Sequence, residues 1–392
     1  MKITDIRAIP LERRLDTVYL GGTYRIDSRY TLVTEVELED GTVARTFGGD
    51  EERYQKEVTA LINDVFRGLL AGRNVLEVER HWQAMFESAA NSYPARGIHT
   101  LDLANKAIFM QAIAAVDICL WDAIGRHLQQ PLVRLLGAYR DRLPVIAIGG
   151  YYSAGKGEQE FREELQSYRG AELAGIKMKV GMLPPREDAE RVRFAREVVG
   201  PRFLIACDAN QAWTTAQAIE FCKAVHGYDV RLIEEPVMWY DQLEGLPLVR
   251  RHGGLPVTAG QGEISRWGCR DLVRAGAVDI LNVDATIAGG VTEWKRIAGM
   301  AACLGISMAH HEEPQVAAHM LASIPHGLYV EIFGDPDRDP MWFDLPVNRP
   351  KIRSGFMEVP QGPGLGIDLD PSVIERFRAP SPTADSTAGA LH

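Results

Sequence analysis

Three oxygen-bearing side chains recur at nearly constant intervals in the second half of the chain. Asp208, Glu234 and Gln261 each follow an apolar run typical of a buried strand, and they are 26 and 27 residues apart. That interval is about the length of one strand-helix unit, so in a closed parallel barrel the three side chains would meet at neighbouring strand ends. Oxygen ligands brought together in this way suit a hard divalent cation such as Mg²⁺. The spacing therefore predicts a metal-dependent active site.

Two lysines alternate along the strand-like segment 175–180. The period-two geometry of a strand puts Lys177 and Lys179 on the same face. On the inner face of a barrel they would need charge partners, because an unpaired buried charge is costly. If they faced outward instead, Ile176 and Met178 would fill the interior. The spacing alone leaves both orientations open.

Two later strand-like runs are followed by side chains that could transfer a proton, a carboxylate after one and an imidazole after the other. Asp284 and His311 are again 27 residues apart. A carboxylate that holds one imidazole nitrogen fixes the tautomer and raises the basicity of the ring, which makes an acid/base pair. Glu331, in the last run, is either a buried acid able to donate a hydrogen bond to an oxyanion or a salt-bridged core residue. Taken singly, His311 could be a polar loop residue and Asp208 an ordinary helix N-cap.

Eight strand-like runs separated by helix-compatible stretches are the elements that would position these residues. The runs are 144–148, 176–180, 203–206, 230–233, 256–259, 279–283, 306–309 and 328–332. Repeated strand-helix units of this size predict an α/β fold of the (β/α)8 TIM-barrel type. We expect this catalytic barrel to occupy residues 141–344.

The first part of the chain, residues 1–140, has a different pattern and predicts a separate α+β domain. Alternating residues at 30–36 predict a strand, and Asp40-Gly41 is a hairpin signal. Apolar positions three and four apart predict a helix over 104–124. Residues 15–29 lack a clear period and predict a mobile loop.

The end of the chain is expected to return to the first domain. We predict that residues from about 345 to 378 complete that domain. Residues 379–392 are rich in Ser, Thr, Ala and Pro, and they predict a disordered tail.

Composition narrows the class of protein. The 392 residues are 46% apolar, as in a globular protein, and carry a net charge of −10, which argues against a nucleic-acid partner. We recognise no signal peptide and no apolar run of membrane-span length, so we expect no membrane partner. Five scattered cysteines without metal-site or disulfide spacing predict reduced thiols. Together these features predict a cytoplasmic protein.

The lysine pair, the ladder of acids, the Asp-His pair and the eighth-strand Glu together resemble one known family. They are similar to the mandelate racemase branch of the enolase superfamily, that is, the mandelate racemase/muconate lactonizing enzyme family, and the resemblance covers nearly the whole chain. It implies a modified (β/α)7β barrel with an N-terminal α+β capping domain completed by C-terminal residues.

The resemblance also implies a reaction and a role for each residue. The reaction is abstraction of the proton alpha to a carboxylate, which gives an enediolate stabilised by Mg²⁺. Lys179 would be the base on one face, and His311, oriented by Asp284, would be the acid or base on the other. Lys177 and Glu331 would bind the substrate carboxylate. Lys177 would also lower the proton affinity of Lys179 by like-charge repulsion.

One metal position departs from the commonest family pattern. The third ligand is usually Glu, whereas the matching residue is Gln261, whose amide oxygen can still coordinate Mg²⁺. Glu263, two residues on, is the alternative ligand. Cap loops at 15–29 and 47–56 would cover the site and select the substrate. The residues expected to contact the substrate are Tyr19, Tyr24, Arg25, Asn210 and His310.

The polar segment 310–315 favours a sugar acid as substrate. We therefore predict an acid-sugar dehydratase that removes water to give a 2-keto-3-deoxy acid. The alternatives are a racemase, an epimerase or a cycloisomerase acting on a hydroxy acid or lactone and, more remotely, an inactive metal-binding barrel. The family resemblance also suggests a homo-oligomer.

Overall fold

The computed structural model describes residues 1–49, 52–95 and 103–380. In chain order its strands are β1 (Ile3–Leu20), β2 (Arg25–Leu38), β3 (Val43–Gly48), β4 (Arg142–Gly149), β5 (Gly175–Lys179), β6 (Leu204–Asp208), β7 (Val230–Glu234), β8 (Val257–Ala259), β9 (Ile280–Asn282), β10 (Ser307–Ala309), β11 (Val330–Phe333), β12 (Ile352–Arg353) and β13 (Phe356–Glu358). Its α-helices are α1 (Glu52–Leu61), α2 (Arg67–Leu70), α3 (Val78–Ala95), α4 (Leu103–Leu128), α5 (Leu132–Leu135), α6 (Glu158–Gly170), α7 (Pro185–Val199), α8 (Thr215–Ala224), α9 (Gln242–Gly253), α10 (Arg266–Arg274), α11 (Gly290–Cys303), α12 (Pro314–Ala322), α13 (Pro340–Asp344) and α14 (Pro371–Phe377).

Strands β4 to β11 form a parallel barrel whose seven connecting helices are α6 to α12. Each strand hydrogen-bonds to the next from β4 to β10, and β11 pairs in parallel with β4. Between β10 and β11 the ring is completed by a bridge from Met308 to Gly327, just before β11 begins. The eight strands coincide with the eight predicted apolar runs, and the predicted (β/α)7β barrel is confirmed.

Strand β5 settles the orientation of the two lysines. All five of its residues are buried, because helices cover the outside of the barrel and side chains fill the inside. Ile176 and Met178 pack in the main apolar core. Lys177 and Lys179 take the alternate positions and form ion pairs with residues of other barrel strands, so they face the interior.

The register of three neighbouring strands produces the ladder of polar side chains. The Cα of Lys179 in β5 is paired with that of Asp208 in β6, and Asp208 is in turn paired with Glu234 in β7. All three residues end their strands, so their side chains meet at the carboxyl-end face of the barrel. This is the face that carries the active site in barrel enzymes.

The first domain is an antiparallel sheet of β1, β2 and β3 that packs against helices α1 and α4. The predicted mobile loop at 15–29 is wrong: β1 continues to Leu20, and β2 begins at Arg25. The pairing of β1 with β2 shifts register between Arg14 and Tyr19. Such an irregularity interrupts the alternation of polar and apolar residues, which explains why the sequence shows no period there.

The predicted helix at 104–124 is α4, and it corrects an expectation. Its segment from Lys106 to Leu128 is long and apolar enough to cross a membrane, so the chain does contain a run of that length. In the fold, 67% of its most apolar window is buried. It packs against β2, β3 and α11, as a core helix does.

The C-terminal residues return to the first domain's sheet. Leu11 of β1 forms a bridge with Arg378, and the amide of Ala379 donates a hydrogen bond to the carbonyl of Pro10 at 2.9 Å. This contact agrees with the predicted return of the chain, although the domain limits themselves stay predictions. Most of the predicted tail, residues 381–392, lies outside the described residues.

Buried polar contacts join the first domain to the start of barrel helix α11 and to Gly289 just before it. The indole nitrogen of Trp82 donates to the carbonyl of Gly289 at 2.8 Å. The carboxylate of Asp117 accepts from the amide of Thr292 at 2.9 Å and from its hydroxyl at 2.7 Å. Burial raises the pKa of Asp117 to about 7, against the hydrogen bonds from Thr292 that lower it.

This contact predicts a pH-dependent effect of Asp117→Asn. Because the folded pKa lies above the unfolded value of about 4, the stability contributed by Asp117 is full below pH 4 and is lost as pH rises towards 7. The amide stays neutral and can keep both contacts with Thr292. We expect Asp117→Asn to raise the thermal midpoint by a few degrees at pH 7.5 and by less at pH 5.

Thermal melts of both proteins at the two pH values check this prediction. Asp16→Asn, which removes one exposed charge, is the matched control. An equal shift at pH 5 and pH 7.5 would contradict the buried-carboxyl explanation.

Candidate active site

A buried network of ion pairs lies at the carboxyl ends of the barrel strands. The ammonium of Lys177 lies 3.0 Å from both carboxylate oxygens of Glu234 and 2.7 Å from Glu331. The ammonium of Lys179 lies 2.7 Å from Asp208. The relative exposure of each of these five residues is at most 2%. Their charges therefore depend on one another rather than on solvent.

The pKa shifts in this network follow from its geometry. Burial disfavours both ammonium groups, but the surrounding carboxylates outweigh it and raise the pKa values of Lys177 and Lys179 well above the usual value. Burial also opposes the ionisation of Asp208, yet the two lysines lower its pKa. For Glu234, burial dominates and raises the pKa to about 8, although Lys177 acts against it. Repulsion from Lys179 acts to lower the pKa of Lys177, but the carboxylates outweigh it, and the effect of Lys177 on Lys179 stays a prediction.

His311 is held between two acids. Its Nδ1 lies 3.2 Å from Asp284, and its Nε2 lies 3.5 Å from Glu312. The other oxygen of Asp284 accepts from the amide and hydroxyl of Thr286, which fixes the carboxylate. Burial favours the neutral ring, but Glu312 and Asp284 raise the pKa of His311 to about 10. The ring is therefore an imidazolium at neutral pH and can donate a proton.

His310 is fully buried, and backbone groups hold its ring. Its Nε2 accepts from the amide of Ala285 at 3.0 Å, and its Nδ1 donates to the carbonyl of His311 at 2.9 Å. Burial lowers its pKa. Because backbone groups use both ring nitrogens, we do not retain His310 as a substrate contact.

A cavity of about 370 Å³ opens onto this face of the barrel. Its walls combine strand-end residues with the first-domain hairpin. The lining residues are Thr23, Tyr24, Ile26, Lys179, Asn210, Gln211, Glu235, Gln261, His311, Glu312 and Arg338. Lys179 and His311, which the resemblance makes the two acid/base groups, thus border one cavity.

The hairpin residues predicted as substrate contacts divide into three cases. Tyr24 lines the cavity, and its ring centre lies 5.7 Å from the ammonium of Lys179. Tyr19 lines a neighbouring cavity and donates its hydroxyl to Asp335 at 2.7 Å. Arg25 is exposed and lies 3.3 Å from Asp27, outside the cavity wall.

The two candidates for the third metal ligand are placed differently. Gln261 borders the cavity, and its amide oxygen is buried without a hydrogen-bond partner. Glu263 accepts from the side chain of Gln242 at 2.7 Å and packs over Gly268 of α10. We therefore take Gln261 as the candidate that is free to meet a cation.

Mg²⁺ fits the residues present. Asp208 and Glu234 supply buried carboxylates, and the unpartnered amide oxygens of Gln261 and Asn210 are neutral donors of the kind that Mg²⁺ accepts. Within the described ranges, no group of three or more His, Cys, Asp or Glu residues is arranged to hold a metal. A three-oxygen set here therefore depends on an amide.

Several cavity residues were missed by sequence reasoning. Glu235 received no role from the sequence, but its backbone has φ of +38° beyond the end of β7, and its side chain lines the cavity. There it accepts from the side-chain nitrogen of Gln211 at 2.7 Å. The available signal for Glu235 was its position beside Pro236 at a strand end. For Arg338, the signal was a single cation among three acids in the loop 335–339.

The fold and the site are those of a barrel enzyme that uses a metal ion to react at a carbon next to a carboxylate. Comparison with known proteins identifies its family. Residues 22–137 match the model of the mandelate racemase/muconate lactonizing enzyme N-terminal domain, and residues 160–373 match the enolase C-terminal domain-like model. The chain therefore belongs to the mandelate racemase/muconate lactonizing enzyme family of the enolase superfamily, which confirms the resemblance read from the sequence.

Individual relatives cover nearly the whole chain. A D-galactarolactone cycloisomerase of Agrobacterium fabrum is 29% identical over 97% of this chain and 100% of the relative. An arabinonate dehydratase of Saccharolobus solfataricus is 27% identical over 89% of this chain and 91% of the relative. A crystal structure of a mandelate racemase/muconate lactonizing enzyme from a marine actinobacterium in complex with magnesium is 37% identical, with a TM-score of 0.87, over 97% of this chain and 99% of that one.

The contacts of His311 predict a measurable change in its titration. Asp284→Asn removes a carboxylate 3.2 Å from the ring, so we expect the pKa of His311 to fall from about 10 by one unit or more. NMR titration of the imidazole measures this change, and a His311→Asn sample identifies the signal.

Asp368→Asn removes a surface carboxylate and is the matched control for this measurement. An unchanged titration of His311 in Asp284→Asn would mean that the pair does not form in solution.

Proposed function

We propose that this protein is a Mg²⁺-dependent acid-sugar dehydratase. It removes the proton alpha to a carboxylate and then eliminates a hydroxyl as water, which leaves a 2-keto-3-deoxy acid. The observation that carries the proposal is that Lys179 and His311, from the second and seventh barrel strands, border one cavity. A substrate between them would meet a base and an acid at once.

In this proposal Lys179 takes the proton from the alpha carbon. It must be neutral to do so, so its proton has to be released before the step. Lys177 binds the substrate carboxylate deep in the barrel, and Glu331, 2.7 Å from the Lys177 ammonium, orients that ammonium. The rings of Tyr24 and Tyr151, at 5.7 and 5.6 Å from the Lys179 ammonium, help to exclude water from the base.

His311 supplies the proton that the elimination of water requires. As Lys179 takes the alpha proton, the electron pair of the broken C–H bond forms the new C=C bond and the C–O bond at the beta carbon breaks. The imidazolium of His311 gives its proton to the departing oxygen, which leaves as water. Asp284 stabilises the charged ring beforehand. The enol product then takes up a proton at the beta carbon and loses the proton of its hydroxyl, which gives the keto acid.

Asp208, Glu234 and Gln261 would hold the metal ion, with Asn210 close by. Bound Mg²⁺ supplies positive charge that stabilises the negative charge developing on the substrate carboxylate. Magnesium is present in the crystal structure of the marine actinobacterial relative, which supports the assignment.

A cycloisomerase is the second candidate function. The 29% identity to the galactarolactone cycloisomerase supports it, as does the same pair of acid/base groups. Arabinonate dehydratase, at 27% identity, supports dehydration to a similar degree. We favour dehydration because the cavity wall is polar and because an imidazolium at His311 suits protonation of a departing hydroxyl.

We also propose that the protein is a cytoplasmic homo-oligomer that acts on a sugar acid. Its relatives of matching length are metabolic enzymes by name. Light scattering coupled to size-exclusion chromatography measures the oligomeric state, and a monomer at micromolar concentration would count against this part of the proposal.

Turnover of a panel of aldonic, aldaric and lactone substrates with Mg²⁺ tests the reaction. We expect at least one acid to give an α-keto acid that has lost the mass of one water. A product with unchanged mass would identify an isomerase instead. Absence of any product, together with no exchange of the alpha proton in D₂O, would contradict both functions.

Variants of the two acid/base groups test their roles in the same assay. We expect Lys179→Ala and His311→Asn each to lower kcat by about 100-fold or more, the range for general acid/base groups. Arg186→Gln, which changes an exposed surface arginine, is the control. Full activity in either active-site variant would overturn its role.

Binding of Mn²⁺, used as a spectroscopic substitute for Mg²⁺, tests the metal ligands without requiring turnover. We expect Asp208→Asn and Glu234→Gln each to weaken binding by about 100-fold, and Gln261→Leu by about tenfold. Glu263→Gln should leave the dissociation constant unchanged. If Glu263→Gln weakens binding and Gln261→Leu does not, the third ligand is Glu263.

A further inference from the structure

Arg338 is a buried cation at the edge of the candidate active site. It follows β11 in the loop 335–339, only 2% of its surface is exposed, and its side chain borders both the active-site cavity and the neighbouring one. None of the roles proposed above uses it. A fully buried guanidinium next to a substrate cavity requires an explanation, because burial of a charge costs several kcal/mol unless it is paired.

The acids beside Arg338 in the sequence are engaged elsewhere. Asp335 accepts from the hydroxyl of Tyr19 and from the amide of Asp337. Asp339 pairs with Arg29 at 3.1 Å and caps the first turn of α13. In the described part of the chain, no carboxylate oxygen lies within 4.0 Å of the Arg338 guanidinium.

Aromatic rings hold the guanidinium in place without neutralising it. Its central carbon lies 4.1 Å from the ring centre of Phe333 and 5.4 Å from that of Tyr151. Its terminal nitrogen reaches the hydroxyl of Tyr151 at 3.5 Å, which is a weak contact. The remaining donor groups, Nε and Nη1, are buried without a hydrogen-bond partner. The side chain is therefore positioned and still has a donor pair to offer.

The nearest cavity acids do not supply the missing partner. Glu312 lies 3.5 Å from His311 and 3.3 Å from Arg29. Glu235 accepts from Gln211 and from the backbone amide of Gly262. Both acids already have donors of their own, so an incoming anion is the partner that Arg338 still lacks.

The distance between Arg338 and the proposed base limits the size of that anion. Lys179 Nζ lies 5.6 Å and Arg338 Cζ 5.4 Å from the centre of the same Tyr151 ring. The two groups are therefore at most 11.0 Å apart, the sum of these distances. An extended carbon chain gains roughly 1.3 Å per bond, so an acid of four to six carbons, extended or bent, can span this gap with about 3 Å for the contact at each end.

We propose that Arg338 binds a second carboxylate at the far end of the substrate, so that the enzyme acts on aldaric acids, the dicarboxylic sugar acids, in preference to aldonic acids. The planar guanidinium matches a carboxylate through two parallel hydrogen bonds, which a hydroxyl cannot reproduce. This inference rests on the proposed function for the reacting end of the substrate. It adds the chemical identity of the other end.

Matched substrate pairs test this inference. For each aldaric acid in the panel, kcat/KM is compared with that of the aldonic acid of the same configuration and chain length. We expect the wild-type protein to favour the diacid by about 30-fold or more, the range for a buried charge pair. Arg338→Met should remove that preference by slowing the diacid about 30-fold while changing the aldonic acid less than threefold.

Two further variants separate binding from structure. Arg338→Lys keeps the charge but loses the paired hydrogen bonds, so we expect an intermediate preference for the diacid. If Arg338→Met does not fold, Arg338→Lys is compared with wild type instead. Arg349→Met, an exposed arginine stacked on Phe343, is the matched control. Without ligand, Arg338→Met should melt no lower than wild type, because it removes a buried charge that has no carboxylate in direct contact.

The outcomes distinguish this inference from the proposed function. Equal losses for both members of a pair, or a wild-type preference for the aldonic acid, would overturn the role of Arg338 while leaving the dehydratase intact. If no acid reacts or exchanges its alpha proton, the proposed function fails. In that case, calorimetry measures the binding of each acid to the Lys179→Ala protein, with and without the second substitution Arg338→Met. The inference is overturned if the diacid binds Lys179→Ala no more tightly than the matching aldonic acid does.

Discussion

The pairing of two buried ammonium groups with three buried carboxylates inside the barrel is the constraint on which the rest of the structure depends. Lys177 and Lys179 cannot be held in a closed interior without acids beside them, and Asp208, Glu234 and Glu331 are the acids that pair with them. Removal of one partner would leave an uncompensated charge. This mutual dependence determines which strands must be neighbours and in what register, because the charged atoms have to meet within about 3 Å.

The barrel satisfies that constraint through its backbone. The register of β5, β6 and β7 aligns Lys179, Asp208 and Glu234 in one row. The bulk of the apolar core lies around this row and contributes rigidity rather than chemistry. A charged cluster on such a scaffold is preorganised, since little has to move before a cation or a carboxylate is bound.

The first domain covers the site at the carboxyl-end face of the barrel. The β1–β2 hairpin brings Tyr24 next to Lys179, while Arg29 of β2 lies 3.3 Å from Glu312 and 3.1 Å from Asp339. The hairpin is thus connected to the loops that carry His311 and Arg338. A substrate in the cavity would contact both domains, so the reacting end is set by the barrel and the far end by the hairpin and the last loop.

The sequence by itself determined the barrel, the ladder and the Asp284–His311 pair, because each depends on spacing along the chain, and a regular strand-helix repeat converts spacing into position. It did not determine the direction of the lysines, since both faces of a barrel strand are buried and alternation cannot tell them apart. The β1–β2 hairpin was missed because a register shift hides its period. The choice of Gln261 over Glu263 as the candidate ligand, the exposed position of Arg25 and the isolation of Arg338 were decided only by the tertiary structure. These depend on which groups already have partners, and partners come from segments that are distant in the chain.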